Sequence, residues 1–165
     1  MRLEKLVASL VLPVLWCAVS SSAFAAPLPD FTDADRAAVE DVLLRQAAAA
    51  SAHDIVAFEQ VLVPNVPGHQ DPVAMVARAY QFWGRAALID HFKEVFKGVW
   101  KFEPDIHGIK VVPLTPDVAQ IYAPTKITFG TSDTTATTAP FLMYEVAIRT
   151  PGGWRIASIV PVPAR

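Results

Sequence analysis

The sequence is poor in cysteine, asparagine and charge. Its 165 residues include one cysteine, Cys17, and one asparagine, Asn65, and 18% of them are charged. A single cysteine excludes a disulfide within the chain, and Val66-Pro67 after Asn65 excludes a glycosylation sequon. With 14 basic and 16 acidic residues, the net charge of −2 gives no cationic surface for nucleic acid, so we expect no such partner.

Long apolar runs are also scarce, and the one that exists lies at the start. It extends from Leu6 to Val19 and contains Pro13, so it is shorter than the roughly 20 residues of a membrane span and is broken by a helix-disrupting residue. Arg2 precedes the run and Ala23-Phe24-Ala25 follows it. A basic start, an apolar run and a small-x-small end are typical of a cleavable signal peptide.

This order predicts a signal peptide over residues 1–25, a short lead-in over 26–31 and one domain over 32–165. We therefore expect export to the periplasm or out of the cell. Cys17 follows the bulky Trp16, so we interpret it as part of the discarded segment and not as a lipid-attachment site. The exported chain would then have no cysteine and no membrane anchor.

The first part of the domain has the periodicity and the caps of helices. Thr32 with Asp35 forms a capping-box pattern, Asp54 is a suitable N-cap, and Gly98 suits a helix end. Apolar residues recur at spacings of three and four between these signals. The predicted helices cover residues 33–52, 54–62 and 84–97. The segment 63–72 is predicted as a loop, and 73–83 as a short strand ending near Trp83.

The rest of the domain has the composition of strands separated by turns. β-Branched residues, prolines and glycines predict strands over residues 106–114, 118–129, 141–149 and 154–160. Pro124 within the second of these indicates a sheet edge or a bulge. Helices followed by an antiparallel meander are typical of the α+β class.

Four short motifs, in this order, resemble the NTF2-like superfamily in its SnoaL-like branch. They are Asp54 with Phe58, Gly84-Arg85-Ala86-Ala87-Leu88, Pro116-Asp117-Val118-Ala119, and Gly152-Gly153-Trp154-Arg155-Ile156. The resemblance implies an α+β cone in which three N-terminal helices pack on a strongly curved, mainly antiparallel sheet around a deep pocket. It also implies a range of functions, from isomerases, cyclases, hydrolases and dehydratases to ligand-binding and dimerisation modules, so the fold does not fix the function.

Two histidines are candidate bases, because the resemblance implies an Asp or His base in an apolar pocket. His107 shares its side of the predicted strand with Ile109 and Val111, which would turn it towards the concave face unless it lies at the frayed strand start. His91 lies three and four residues from Leu88 and Val95, on one helix face. Burial in such a pocket would tune a histidine for proton transfer.

Two tyrosines, Tyr122 and Tyr144, are candidate donors to a carbonyl ligand, although aromatic residues on a sheet are more often packing residues. Glu145 and Arg149 lie four residues apart on a strand, and we expect them on a solvated or dimer-facing side. The histidines and acids have no recognised metal-ligand spacing, and the chain has no glycine-rich phosphate loop. We therefore expect no metal and no cofactor.

Two hypotheses concern the pocket, and a third concerns the surface of the sheet. In the first, an exported NTF2-like domain binds a small apolar ligand in its pocket or associates with itself as a homodimer. In the second, an isomerase, cyclase or dehydratase acts on a small carbonyl compound by His/Tyr acid–base chemistry. Two ionisable groups that meet in one cavity would favour the enzyme, and an apolar cavity would favour the binding protein. An exposed apolar sheet face would instead favour docking of a partner.

Overall fold

The computed structural model describes residues 30–78 and 80–164. The predicted signal peptide, over residues 1–25, and residues 26–29 of the predicted lead-in lie outside the described residues. Among the described residues, no helix has the length and hydropathy to cross a membrane.

The first helix, α1 (Asp33–Ser51), begins at the predicted capping box. The Asp35 backbone nitrogen donates to Thr32 Oγ1 at 3.2 Å, and the Thr32 backbone nitrogen donates to Asp35 Oδ2 at 3.0 Å. These two bonds satisfy donors that a helix start leaves open. One face of α1 is buried from Val39 to Ala50.

The other two predicted helices are also present. In α2 (Ile55–Val61) the Asp54 carboxylate accepts hydrogen bonds from the backbone nitrogens of the first turn, at 3.0 and 3.1 Å. The helix α3 (Arg85–Val95) follows Gly84, whose φ of +89° favours glycine. The Arg85 backbone nitrogen at the start of α3 donates to the Asp71 carboxylate, so the proline-rich loop supplies the cap that Gly84 cannot.

Seven strands form one sheet in the described part of the chain. They are β1 (Ala74–Ala77), β2 (Tyr80–Trp83), β3 (Val99–Pro104), β4 (Lys110–Thr115), β5 (Val118–Gly130), β6 (Thr137–Thr150) and β7 (Gly153–Pro163). The order across the sheet is β2-β1-β7-β6-β5-β3, and β4 pairs with the other end of β5. The pair β1–β7 is parallel and the others are antiparallel, which confirms the predicted α+β class.

The region around residues 99–109 differs from the prediction. Residues 99–104 form β3, a strand that was not predicted. Residues 106–108 form a turn, and residue 109 leads into β4, whereas a strand was predicted to start at 106. The turn closes through the Gly108 backbone nitrogen, which donates to the Asp105 carbonyl at 3.0 Å. A hairpin, β1 with β2, replaces the single short strand predicted within 73–83.

Pro124 was expected at an edge or a bulge, but β5 is an inner strand paired on both sides. Its carbonyl accepts a hydrogen bond from the Asp105 backbone nitrogen at 2.8 Å. The proline nitrogen therefore faces the same side, between the end of β3 at Pro104 and the start of β4 at Lys110. No ladder hydrogen bond is needed at this junction, so an inner strand tolerates the proline.

The helices cover one face of the sheet, called here the inner face. Alternate residues of β5 point to it and are buried: Ala119, Ile121, Ala123, Thr125 and Ile127. All of them except Thr125 pack with the buried faces of α1, α2 and α3 in one hydrophobic core. The opposite side, called here the outer face, carries the intervening residues.

Candidate functional site

A cavity of about 470 Å³, called here the outer cavity, opens at one end of the cone. Its wall combines residues of the β1–β2 hairpin, α3 and the ends of β3, β5, β6 and β7. Most of these side chains are aliphatic or aromatic, for example Met75, Ile127 and Phe141, and the polar groups include His91 and Arg78. An apolar wall with few polar groups is typical of small-molecule sites.

A smaller inner cavity lies deeper between the helices and the sheet. It has about 20 Å³ of free space, room for about one water molecule. Met75, Trp100, Ile127 and Pro161 contribute to the walls of both cavities. The two spaces are therefore adjacent, and Gln46 of α1 lies in the wall of the inner one.

His91 contributes an aromatic stack to the outer cavity. Its ring stacks on Phe82 with centroids 4.2 Å apart and on Tyr80 at 6.0 Å, and it meets the edge of Phe92 at 5.4 Å. Burial lowers the pKa of His91 below its ordinary value, because desolvation disfavours the charged ring. At neutral pH His91 is therefore mainly uncharged, which suits an apolar ligand.

Trp100 forms the boundary between the two cavities. Its carbonyl lies 3.0 Å from His53 Nε2, and its ring meets the edge of Phe92 at 5.9 Å. The next inward residue of β3, Phe102, exchanges two hydrogen bonds with the Ser51 hydroxyl at the end of α1. These contacts fix β3, and with it Trp100, against the helices.

The deepest polar pair joins Gln46 of α1 to Glu145 of β6, whose relative exposures are 3% and 0%. With the Gln46 amide turned so that its nitrogen faces the carboxyl, this nitrogen lies 2.9 and 3.1 Å from the two Glu145 oxygens. Burial raises the pKa of Glu145 to about 8, and the hydrogen bond from Gln46 opposes part of the rise. Glu145 is therefore mainly protonated at neutral pH.

The expectation that Glu145 lies on a solvated side is wrong. Met143 and Ala147, two residues away on either side, are buried on the inner face, and the strand period places Glu145 with them. Arg149 follows on the same side near the sheet end, where it pairs with Asp35 at 2.7 Å. In the sequence, Glu145 shares its side of the strand with the apolar residues Met143 and Ala147, and this pattern indicates a side chain that faces the core.

Several solved structures share this arrangement of helices and sheet. A ketosteroid isomerase-like protein from Erwinia carotovora atroseptica aligns over 81% of this chain and 99% of its own, with 16% identity and a TM-score of 0.64. A provisionally named dehydratase from the NTF2-like family from Streptomyces avermitilis covers 80% and 97%, with 17% identity and a TM-score of 0.65. The chain has an NTF2-like fold.

Another NTF2-like protein, with a cystatin-like fold and from Novosphingobium aromaticivorans, is 18% identical over 79% of this chain and 82% of its own, with a TM-score of 0.60. Identities this low establish the NTF2-like fold and leave the function open. Neither a protein-family model nor a curated protein matches the sequence. The narrower resemblance to the SnoaL-like branch stays a prediction.

Within this NTF2-like fold, His107 lies away from both cavities. It was predicted on the concave side of a strand, but it is exposed in the turn between β3 and β4. Its backbone nitrogen donates to the Asp105 carboxylate at 3.1 Å, a bond that stabilises such turns. The predicted position was wrong because the strand begins at Lys110 and not at Ile106.

Tyr122 and Tyr144 also lie away from the cavities. They are directly opposite each other on β5 and β6, and their neighbours along the strands are buried on the inner face, so both tyrosines belong to the outer face. Exposed apolar side chains share this face, including Val112 of β4 and Val162 of β7. Such a face favours self-association or partner docking, and the homodimer stays a prediction.

Two other hollows, of about 500 and 520 Å³, lie on the surface of the NTF2-like domain. Charged side chains contribute to both walls: Glu103, Asp105 and Lys126 in one, and Glu94 and Lys97 in the other. They are less suited to an apolar ligand than the outer cavity. Within residues 30–78 and 80–164, no group of three or more His, Cys, Asp or Glu residues is placed to hold a metal ion.

Proposed function

We propose that the protein is an exported binding protein that takes a small, flat, mainly apolar ligand into the outer cavity. The observation that carries this proposal is the aromatic and aliphatic wall of the cavity, which encloses about 470 Å³. Sites for small molecules commonly have volumes of roughly 300–1,000 Å³ and a small number of polar groups. Burial of the ligand's apolar surface would provide most of the affinity.

The separation of the four candidate catalytic residues favours binding over acid–base catalysis. His91 borders the outer cavity, whereas His107 lies in an exposed turn and Tyr122 and Tyr144 lie on the outer face. A general base acts together with a donor within hydrogen-bond reach of the same substrate. Of the predicted set only His91 lies in this cavity, and Tyr80, which also borders it, contacts the His91 ring by stacking at 6.0 Å and not through a hydrogen bond. A binding protein needs no acid–base pair.

Filling the outer cavity is expected to weaken binding of an apolar probe. Ala139 borders the cavity on β6, so the indole of Ala139→Trp would occupy the space of the ligand. We expect its dissociation constant for 2-ethylnaphthalene to rise about tenfold or more, a loss of roughly 1.4 kcal/mol. Calorimetric titration of the purified domain measures the effect.

Val112→Trp is the matched control, because Val112 is 51% exposed on the outer face. This variant adds the same indole to the opposite side of the sheet and is expected to bind 2-ethylnaphthalene as the wild type does. Equal binding by Ala139→Trp and the wild type, or an equal loss in both variants, would show that the probe binds elsewhere.

We also propose that the protein acts outside the cytoplasm. The support is the order of basic, apolar and small residues within 1–25. Intact-mass analysis of the protein recovered from the envelope or medium of expressing bacteria is expected to give a chain beginning at Ala26. A recovered chain that retains Met1 would contradict export by cleavage.

A further inference from the structure

Arg78 is the one fully charged side chain among the described residues that border the outer cavity. It lies at the tip of the β1–β2 hairpin and is exposed. It therefore stands at the mouth of the cavity, where a ligand that enters from solvent can reach it. No aspartate or glutamate lies in the described part of this wall to oppose its charge.

The lysines on α3 and just after it, beside the cavity, already have partners. Lys93 pairs with Asp90 at 2.8 Å, and Lys97 pairs with Glu94 at 2.6 Å. The ion pairs within the described residues all involve cations other than Arg78. A cation of this kind at the mouth of an apolar space attracts an anionic group.

The backbone of Arg78 is strained. The hairpin loop has two residues, 78–79, and Arg78 takes a φ of +49°. Such loops favour asparagine or glycine, because other side chains at positive φ cost free energy. His53, the other non-glycine residue with positive φ among those described, gains a stack on Phe96 and a contact with the Trp100 carbonyl. Arg78 gains no such contact there, and uncompensated strain of this kind is typical of ligand sites.

We propose that Arg78 anchors the charged end of the ligand and that the ligand is a flat apolar compound carrying one carboxylate. This inference rests on the proposed binding function and names the ligand class for the same cavity. The apolar body packs against Met75, Ile127 and Phe141 in the outer cavity. The carboxylate stays at the exposed mouth, which avoids the cost of burying a charge. There the planar guanidinium donates two parallel hydrogen bonds to it.

A pair of matched probes tests the anchor. 2-Naphthylacetate carries a carboxylate that is ionised at neutral pH, and 2-naphthylacetamide has nearly the same shape without the charge. Calorimetric titration of the wild type is expected to show about fivefold tighter binding of the carboxylate, the upper range for an exposed ion pair. In Arg78→Gln, which removes the charge and keeps a polar side chain, the two probes are expected to bind with equal affinity.

Arg45→Gln is the matched control, because it removes the same charge from an exposed position on α1. Arg45 pairs with Asp41 at 2.7 Å and does not border the outer cavity. This variant is expected to keep the wild-type preference for the carboxylate. An equal loss of preference in both variants would show that net charge, and not Arg78, attracts the carboxylate, and would overturn the inference.

The outcomes separate this inference from the proposed function. Equal binding of the two probes by the wild type, or undiminished preference in Arg78→Gln, would overturn the role of Arg78 and leave the cavity as the binding site. Absence of binding of both probes while 2-ethylnaphthalene still binds would overturn it as well. Absence of binding of all three compounds would overturn the proposed function itself. Binding of the amide to Arg78→Gln at wild-type affinity shows that the variant keeps an intact cavity.

The salt dependence of binding gives an independent measurement. At about 1 M sodium chloride the screening length falls to about 3 Å, so the preference of the wild type for the carboxylate is expected to fall towards that of Arg78→Gln. The affinity for the uncharged amide should not fall with it. A preference for the carboxylate that salt leaves unchanged would contradict an ionic anchor at the exposed mouth.

Discussion

Replacement of Glu145 by glutamine is expected to remove most of the pH dependence of stability between about pH 5 and pH 8. Glu145 is fully buried on the inner face, and burial raises its pKa from 4.5 to about 8. Gln46 and Thr125 are the other buried polar side chains among the described residues, and neither of them ionises. Glutamine is uncharged at every pH and has nearly the same shape.

The direction in which stability changes with pH follows from proton binding. Between pH 4.5 and about 8 the folded state keeps the Glu145 proton, whereas the unfolded chain releases it. Stability falls with rising pH wherever the folded state binds more protons. The free energy of unfolding of the wild type should therefore decrease by up to about 1.4 kcal/mol per pH unit in this range.

Urea denaturation of the wild type and Glu145→Gln at several pH values measures this contribution. The lowered pKa of His91 acts in the opposite direction, because its unfolded form binds more protons below pH 6.5. Both proteins contain His91, so the difference between their curves isolates Glu145. The difference is expected to grow with pH in favour of the variant, on the order of 3 kcal/mol by pH 8. A constant difference would mean that Glu145 is ionised in the folded protein.

Removal of the Trp154 side chain is expected to cost about 3–5 kcal/mol of stability, the range for a buried large aromatic residue. Trp154 is 3% exposed at the start of β7. Its ring meets the edge of Phe31 at 5.7 Å, and the Arg149 guanidinium lies 4.8 Å from the ring centroid. Trp154→Ala would leave a cavity at this end of the core and would remove the donor to Asp35.

The control for this prediction is Trp83→Ala, because Trp83 is 68% exposed. Exposed substitutions usually change the free energy of unfolding by no more than about 0.5 kcal/mol. Urea denaturation at pH 7 should therefore place Trp83→Ala near the wild type and Trp154→Ala far below it. Similar losses in both variants would contradict the distinct role of Trp154 in the core.

The helices could be predicted from the sequence because their signals are local. Thr32 with Asp35 and Asp54 form the caps that the sequence indicated, and Gly84 precedes α3. The long strands β5 and β6 were found for the same reason, since each carries a run of strand-forming residues between turns. The α+β class follows from the order of these elements.

The short strands could not be predicted as well. β3 has only six residues including the terminal Pro104, and the alternation of Trp100 and Phe102 with Lys101 and Glu103 covers four of them. Without β3, the chain between α3 and β4 was assigned to the wrong register, and His107 was placed on the inner face. Because the short strand β3 was missed, His107 was wrongly included among the residues of the candidate site.

The residues of the candidate site depend on tertiary structure that no local signal reports. His91 was found because its helix face could be derived from spacing. Gln46 and Glu145 were not identified as a pair, because they are distant in sequence and a carboxyl group on a strand is usually solvated. Trp100 was grouped with neighbouring aromatic residues, and its place in the walls of both cavities became visible only once its surroundings were known.

Methyl NMR of Met75 and Met143 reports directly whether a ligand binds in the cavities. The sequence contains three methionines, and the third, Met1, lies in the predicted signal peptide. Met75 borders both cavities, and Met143 borders the inner one. The ring current of bound 2-ethylnaphthalene is expected to shift the Met75 methyl resonance strongly and the Met143 resonance less. Heat of binding without a shift of either resonance would place the ligand outside the cavities and contradict the proposed binding site.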